Sequence, residues 1–314
     1  MKKLAVVAFG GNALIRAGQK GTIDEQEHNV YKTCENLLEL IKKDINIVIT
    51  HGNGPQVGNI LLQNIAGARL FGVPEMPLDI CGAYSQGLIG YMIEQQLRNV
   101  LEKNGIERDV ITIITEVLVD KNDPAFQNPT KPIGPFYNKE EAEKMAQESG
   151  ATFAPDSANR GWRKVVASPQ PLTIGNRKSI EKLAREGQIV IAVGGGGIPV
   201  FYVEPNKLQG IDAVIDKDLA SSLLATQINA DEFYILTDVE KVYINFKKPN
   251  EKALDVITLE EAKKLRNEGH FAAGSMGPKV NASIAFVEKT GHTAIITETS
   301  KLSDPTCGTK IIKE

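Results

Sequence analysis

Short β-branched runs alternate with amphipathic stretches along almost the whole chain. Leu4–Phe9, Ile45–Thr50, Val110–Val119, Ile189–Val193, Phe233–Leu236 and Thr293–Ile296 read as strands, and their near-continuous apolar character predicts burial on both faces. Between them, Glu25–Lys43, Pro55–Phe71, Gly82–Lys103, Ser179–Glu186, Leu219–Ile228, Leu259–Asn267 and Lys279–Thr290 carry apolar residues at helical spacing, several with Gly just beyond the end. This alternation predicts an α/β fold in three layers, with a mostly parallel central sheet between helices. In such sheets ligands bind beyond the carboxyl ends of the strands. The Gly-rich sequences of this chain follow predicted strands, where that rule places a site.

The pattern breaks twice. From about 120 to 163 it gives way to a polar segment punctuated by Asp123-Pro124, Asn128-Pro129, Lys131-Pro132 and Gly134-Pro135, with one helix at Lys139–Glu148, which predicts an inserted, protruding subdomain. Near Tyr202–Gly210 a Pro- and Gly-containing connection divides the chain into an expected N-terminal lobe, 1–206, and a C-terminal lobe, 207–314. There is no internal repeat.

Composition narrows the function classes. With 314 residues, 42% hydrophobic and 24% charged, the chain has ordinary globular composition. Its net charge of -3 and pI near 5.9 offer no general attraction to nucleic acid, so any anion site must be built from a few local cations. The apolar run after Met1-Lys2-Lys3 is short and stops at Gly10-Gly11-Asn12, so it reads as a first strand and not a signal peptide. No run approaches the roughly 20 apolar residues of a membrane span, and a soluble cytoplasmic protein is expected. Cys34, Cys81 and Cys307 are odd in number and far apart, which suggests neither a disulfide framework nor a metal pair.

The candidate chemistry lies in glycines and lysines. Gly10-Gly11-Asn12, His51-Gly52-Asn53-Gly54-Pro55 and Gly194-Gly195-Gly196-Gly197 each follow a predicted strand, and glycine lets backbone N–H groups close on a phosphate or carboxylate. Each alone is an ordinary tight turn; three in one α/β chain point to an anion site. Neither standard nucleotide fingerprint is present: no Gly-Lys dipeptide occurs, and the His51–Gly58 segment misses the GxGxxG spacing by one residue. His28, His51, His270 and His292 show no ligand spacing, so no dedicated protein cage for a metal is expected. Asp216-Lys217-Asp218 opens an otherwise apolar helix, Lys279 follows the small-residue loop Ala272–Pro278, and Lys131 sits in the insertion. Taken singly these are a capped helix start and two solvated lysines.

Together the segments resemble a known family. Ala8–Leu14, Thr50–Gly58, Asn128–Gly134, Val193–Pro199, Ala213–Asp218, Leu236–Asn245 and Gly274–Val280 run in order and resemble the motifs of the carbamate kinases, within the amino acid kinase superfamily. The resemblance implies an α/β/α sandwich whose first lobe holds the phosphoryl acceptor and whose second holds ATP or ADP. It also implies a homodimer. By similarity Gly10, Gly11, Asn12, Gly52 and Asn53, with Gly194, Gly195 and Gly196, would line the acceptor and phosphoryl site. Lys131, Lys217 and Lys279 would contact phosphoryl oxygens, with Asp218 orienting the lysines. Thr237, Asp238, Val239, Val242, Tyr243, Ala272, Gly274, Met276 and Gly277 would surround the nucleotide, beside Lys279.

The implied reaction is reversible phosphoryl transfer between ATP and carbamate, with Mg²⁺ held mainly by the nucleotide. Its expected use is ATP synthesis from carbamoyl phosphate in arginine catabolism, a direction that metabolic context sets. Carbamate is already an anion, so the obstacle is charge and no strong base is needed; fixed lysines and amide dipoles answer that need. A larger acceptor, such as acetylglutamate, aspartate or a nucleoside monophosphate, is the nearest alternative. A nucleotide-binding regulator without catalysis is the alternative from another class.

Overall fold

The computed structural model describes residues 2–16, 18–156, 160–272, 274–302, 304 and 306–314, with the Asn12 side chain also outside the described set. Its frame is an eight-stranded sheet in the order Val256–Thr258, Thr309–Ile312, Thr293–Glu298, Glu232–Thr237, Leu4–Phe9, Asn46–His51, Ile189–Ile191, Val110–Thr112. From Thr293–Glu298 to Val110–Thr112 every neighbouring pair is parallel; Thr309–Ile312 runs antiparallel to Thr293–Glu298 and parallel to Val256–Thr258.

The central strand shows why these strands read as unbroken apolar runs. Leu4, Val6 and Ala8 face a core shared with Ala220 and Leu224 of the helix Lys217–Gln227, and with Val280 and Phe286 of the helix Met276–Thr290. Ala5, Val7 and Phe9 face the opposite core, built from Cys34 and Leu37 of Ile23–Lys42 and from Ile89 and Ile93 of Leu78–Lys103. Each fully buried Leu, Ile or Phe stabilises the fold by about 1.5–3 kcal/mol relative to an exposed one. All three cysteines are free and buried.

Two expectations are corrected. The run Val110–Val119 is two strands, not one: Val110–Thr112 ends the main sheet, whereas Glu116–Val119 joins a second, four-stranded sheet with Pro171–Ile174, Ile198–Glu204 and Lys207–Gly210. Ile113 still bonds to Ile191, but Thr115 is turned inward, where Gln86 takes both its N–H and its carbonyl. The insertion holds more order than one helix. Lys131–Tyr137, Trp162–Val166 and Thr152–Pro155 form an antiparallel sheet backed by the helix Lys139–Ser149, whose N-terminus carries a reciprocal capping box between Asn138 and Glu141. The connection near 202–210 is a hairpin of the second sheet, its turn at Pro205-Asn206.

The insertion meets the body along the helix Gly54–Phe71. A Cβ on Gly58 would lie 2.0 Å from the Gly134 backbone, so the strand Lys131–Tyr137 packs directly on the helix main chain. No described helix is long and apolar enough to cross a membrane.

Candidate active site

Because the central strands are parallel, their carboxyl ends share one edge of the sheet, and the turns after Phe9, His51, Ile191 and Thr237 open there. A cavity of about 910 Å³ lies beyond that edge. It is lined by Gly11, Gly52, Asn53, Gly195, Lys131, Lys217, Asp218, Lys279, Thr237, Asp238, Val239, Tyr243, Ala272, Gly274 and Met276. Gly10, Gly194, Gly196, Val242 and Gly277 sit behind this wall. Gly10 packs on the Leu236 carbonyl and Gly194 on the His51 ring, so each makes room for a neighbour instead of lining the cavity.

The charges are arranged as one bridged triad and one pair. Lys217 Nζ donates to Asp218 Oδ1 at 2.6 Å, and Lys279 Nζ donates to Asp218 Oδ2 at 3.0 Å, so one carboxylate bridges two ammonium groups from different helices. Lys131 Nζ reaches in from the insertion to Asp216 Oδ2 at 2.7 Å. The other Asp216 oxygen accepts from the N–H groups of Asp218 and Leu219, capping the helix that begins at Lys217. Burial alone would raise the Asp218 pKa, but Lys217 and Lys279 outweigh it and hold the carboxyl well below the carboxylate range. Asp216 is likewise held low by Lys131 against the opposing effects of burial and of Asp218. Burial pulls the Lys217 ammonium below its ordinary value, with Lys279 adding repulsion and Asp218 opposing both.

Three helices begin at the cavity, at Gly54, Lys217 and Met276, and neither the first nor the third has a side-chain cap. Pro55 and Pro278 carry no N–H and the Gly277 N–H is taken by the Ala272 carbonyl, so the amides of Gly54, Gln56 and Met276 are the ones open to an anion, and the helix dipoles add positive potential. Behind them the strand ends are locked. His51 is buried, its Nδ1 2.9 Å from the Gly52 carbonyl, and burial pushes its pKa down to about 4, so the ring is neutral. Asn53 Nδ2 donates to Ser85 Oγ at 2.8 Å, and Gly195 lies where a Cβ would strike that amide. Val193, at φ 54°, is a β-branched residue in the left-handed region, a strained turn that sets the path of the glycines after it.

The amino acid kinase family profile matches residues 3–298. The chain belongs to the amino acid kinase family. Within it the chain groups with the carbamate kinases: it is 52% identical over 301 residues to the carbamate kinase of Pyrococcus furiosus, covering 96% of this chain and 95% of that one. The structure of carbamate kinase from Giardia lamblia bound to citric acid superposes with a TM-score of 0.94 at 47% identity, over 100% of this chain and 99% of the other. A second Giardia lamblia structure, bound to AMP-PNP, gives 0.91 at 48% identity over the same shares. The match extends through the sandwich and the insertion, so this chain has the kinase architecture of the family.

Sequence reasoning passed over several residues of this kinase site. Asp216 was visible in Asp216-Lys217-Asp218, but a helix cap gives no sign of a second, distant partner. Asn245 ends the segment Leu236–Asn245 without standing out within it, and Phe246, Lys247, Lys248, His270 and Phe271 line the outer cavity outside any motif.

Proposed function

We propose that this kinase transfers a phosphoryl group reversibly between ATP and carbamate, giving ADP and carbamoyl phosphate. The observation that carries the reading is the meeting of Lys131, Lys217 and Lys279 with a helix-capping carboxylate, Asp216, and a bridging one, Asp218, at one cavity, on a chain about half identical to carbamate kinases over its length.

The mechanism follows from charge. Two anionic reactants must meet, and negative charge spreads over the phosphoryl oxygens as the bond exchanges. Lys217 and Lys279, held by Asp218 on opposite oxygens, form a preorganised cationic fork whose tips need not reorganise during transfer. In the proposed arrangement Lys217, with the Gly52-Asn53 turn, faces the acceptor side, and Lys279, entering with the loop before Met276, faces the β- and γ-phosphates. Lys131 closes from the insertion. Thr237, Val239, Tyr243, Ala272 and Met276 surround the nucleotide on the C-terminal half, 207–314, and the glycine turns hold the acceptor on the N-terminal half, 1–206. Val242 and Gly277 support that wall from behind, as Gly10, Gly194 and Gly196 support the acceptor turns. Asn12 is assigned to the acceptor site by motif alone.

Mg²⁺ would enter with the nucleotide. Among the described residues no three His, Cys, Asp or Glu side chains cluster to hold a metal, and Asp216 and Asp218 are engaged by lysines, which fits an ion carried by phosphate oxygens. Bound there, it would neutralise phosphate charge. A homodimer is part of the same proposal, and the helix Leu78–Lys103, which leaves Ile80, Tyr84, Leu88 and Tyr91 exposed along one stripe, supports it. We place the enzyme in the cytoplasm, working toward ATP from carbamoyl phosphate.

The deciding experiment is ATP formation by the purified chain from ADP and carbamoyl phosphate, with Mg²⁺ present and omitted, beside a panel of larger acyl phosphates. Turnover with carbamoyl phosphate alone supports the reading. Preference for acetylglutamyl or aspartyl phosphate overturns it.

A further inference from the structure

A second cavity, of about 390 Å³, lies between the insertion and the body and shares no lining residue with the first. One wall is a stripe of the helix Gly54–Phe71, Gly58, Leu61, Leu62, Ile65, Ala66, Arg69 and Leu70, spaced three and four apart as one helical face. The other is the insertion's own apolar side, Ile133, Pro135, Tyr137, Met145 and Phe153. Apolar walls facing one another across an open cleft forfeit dispersion contacts that an apolar occupant would restore. The volume lies within the roughly 300–1,000 Å³ of small-molecule sites.

Charge at the rim selects the occupant. Arg69 and Lys164 both line the cavity, and among the described residues neither side chain has an ion-pair or hydrogen-bond partner. The acidic group there, Glu148, lies 4.0 Å from Lys144. An apolar body with an anionic head satisfies both walls and rim. Position adds a consequence. Ile133, Gly134, Pro135 and Tyr137 lie on the strand that begins with Lys131, so the second cavity lies behind the segment that delivers Lys131 to Asp216. That strand touches the helix main chain at Gly58–Gly134 and has no side chain there to absorb a shift.

We propose that this cleft binds a small amphiphilic carboxylate, a medium-length hydrocarbon chain with one carboxylate head, and that its occupancy alters how Lys131 serves the acceptor site. The coupling rests on the role proposed above for Lys131; the binding does not. The carboxylate pairs with Arg69 and Lys164 while the chain lies along Leu62, Ile65 and Ala66.

The probe is sodium octanoate, with 1-octanol as its neutral counterpart, titrated calorimetrically into the full chain without substrates. Octanoate is expected to bind at least 10-fold more tightly than octanol. Arg69→Gln with Lys164→Gln should erase that preference and leave octanol unchanged, and Ala66→Phe, which fills the open cleft, should abolish both. Absence of octanoate binding, or binding unaffected by Ala66→Phe, overturns the site. A drop in oligomeric state on Ala66→Phe would mean that a second copy of the chain fills the cleft, and also overturns it. If octanoate binds as described, saturating it should change KM for carbamoyl phosphate at least 3-fold with KM for ADP unchanged; equal constants with and without octanoate overturn the coupling alone.

Discussion

The main sheet and the insertion are built on opposite terms, and both contribute to one site. In Leu4–Phe9 and Asn46–His51 every residue is buried, whereas in Lys131–Tyr137 only Ile133 and Gly134 are. Lys217, Asp218 and Lys279 stand on helices packed against that sheet, so their geometry is inherited from a close-packed core. Lys131 stands on a small sheet that meets the body at a glycine contact and through Ile133, packed with Val57, Leu61 and Val214, beside a partly open cleft. The proposed roles divide along the same line: Lys217, Asp218 and Lys279 would form the fixed part of the site, and Lys131, on the separate small sheet, the part that responds to a ligand.

The comparison breaks first at its strongest point. Lys217→Ala should cost about 3–4 kcal/mol of barrier, on the order of 10²–10³-fold in turnover, with the melting transition retained; steady-state kinetics beside calorimetry checks it. Near-native turnover in a folded variant would remove the core-mounted fork from the mechanism.

Acid should find the core before it finds the fork. His51 is held at about 4 against an ordinary 6.5, so the unfolded chain binds the extra proton between those values. The stabilisation is complete above pH 6.5 and is lost as pH falls through 4, a decline of about 3 kcal/mol read by denaturant midpoints. His51→Gln should flatten that slope. Asp216 and Asp218, depressed below the ordinary 3.8, add their own loss only under that pH.

Lys131→Ala should cost about 2 kcal/mol in kcat/KM for carbamoyl phosphate, since one charge-assisted hydrogen bond is removed from a site that is half open. ADP affinity, measured by titration, should stay within 2-fold of the parent. The smallest effect is the most local: Asn138→Ala removes the insertion's helix cap and should cost about 1 kcal/mol there. Hydrogen exchange should quicken in Lys139–Ser149 while the main sheet keeps its protection.

The same contrast explains what could be read beforehand. Strands packed on both faces are long apolar words, and Leu4–Phe9 is legible to the residue. The insertion's strands are half-exposed, and Pro132 and Pro135 mask one of them; that strand lies at the edge of its sheet, where proline is tolerated. The division of Val110–Val119 was illegible because a β-branched run carries no mark of where it changes sheets. For the site, glycine turns and lysines were visible as motifs, but the pairing of Lys131 with Asp216 joins residues 85 positions apart, and only the folded chain brings them together.

Asp216 keeps its grip on the helix N-terminus through one oxygen whichever way Lys131 swings, since the two bonds use different oxygens. In the proposed mechanism, a phosphoryl group that draws Lys131 off would leave Asp216 still anchored to the helix. Product departure would then return the arm to a fixed catch, one whose hold on the helix never depended on the lysine.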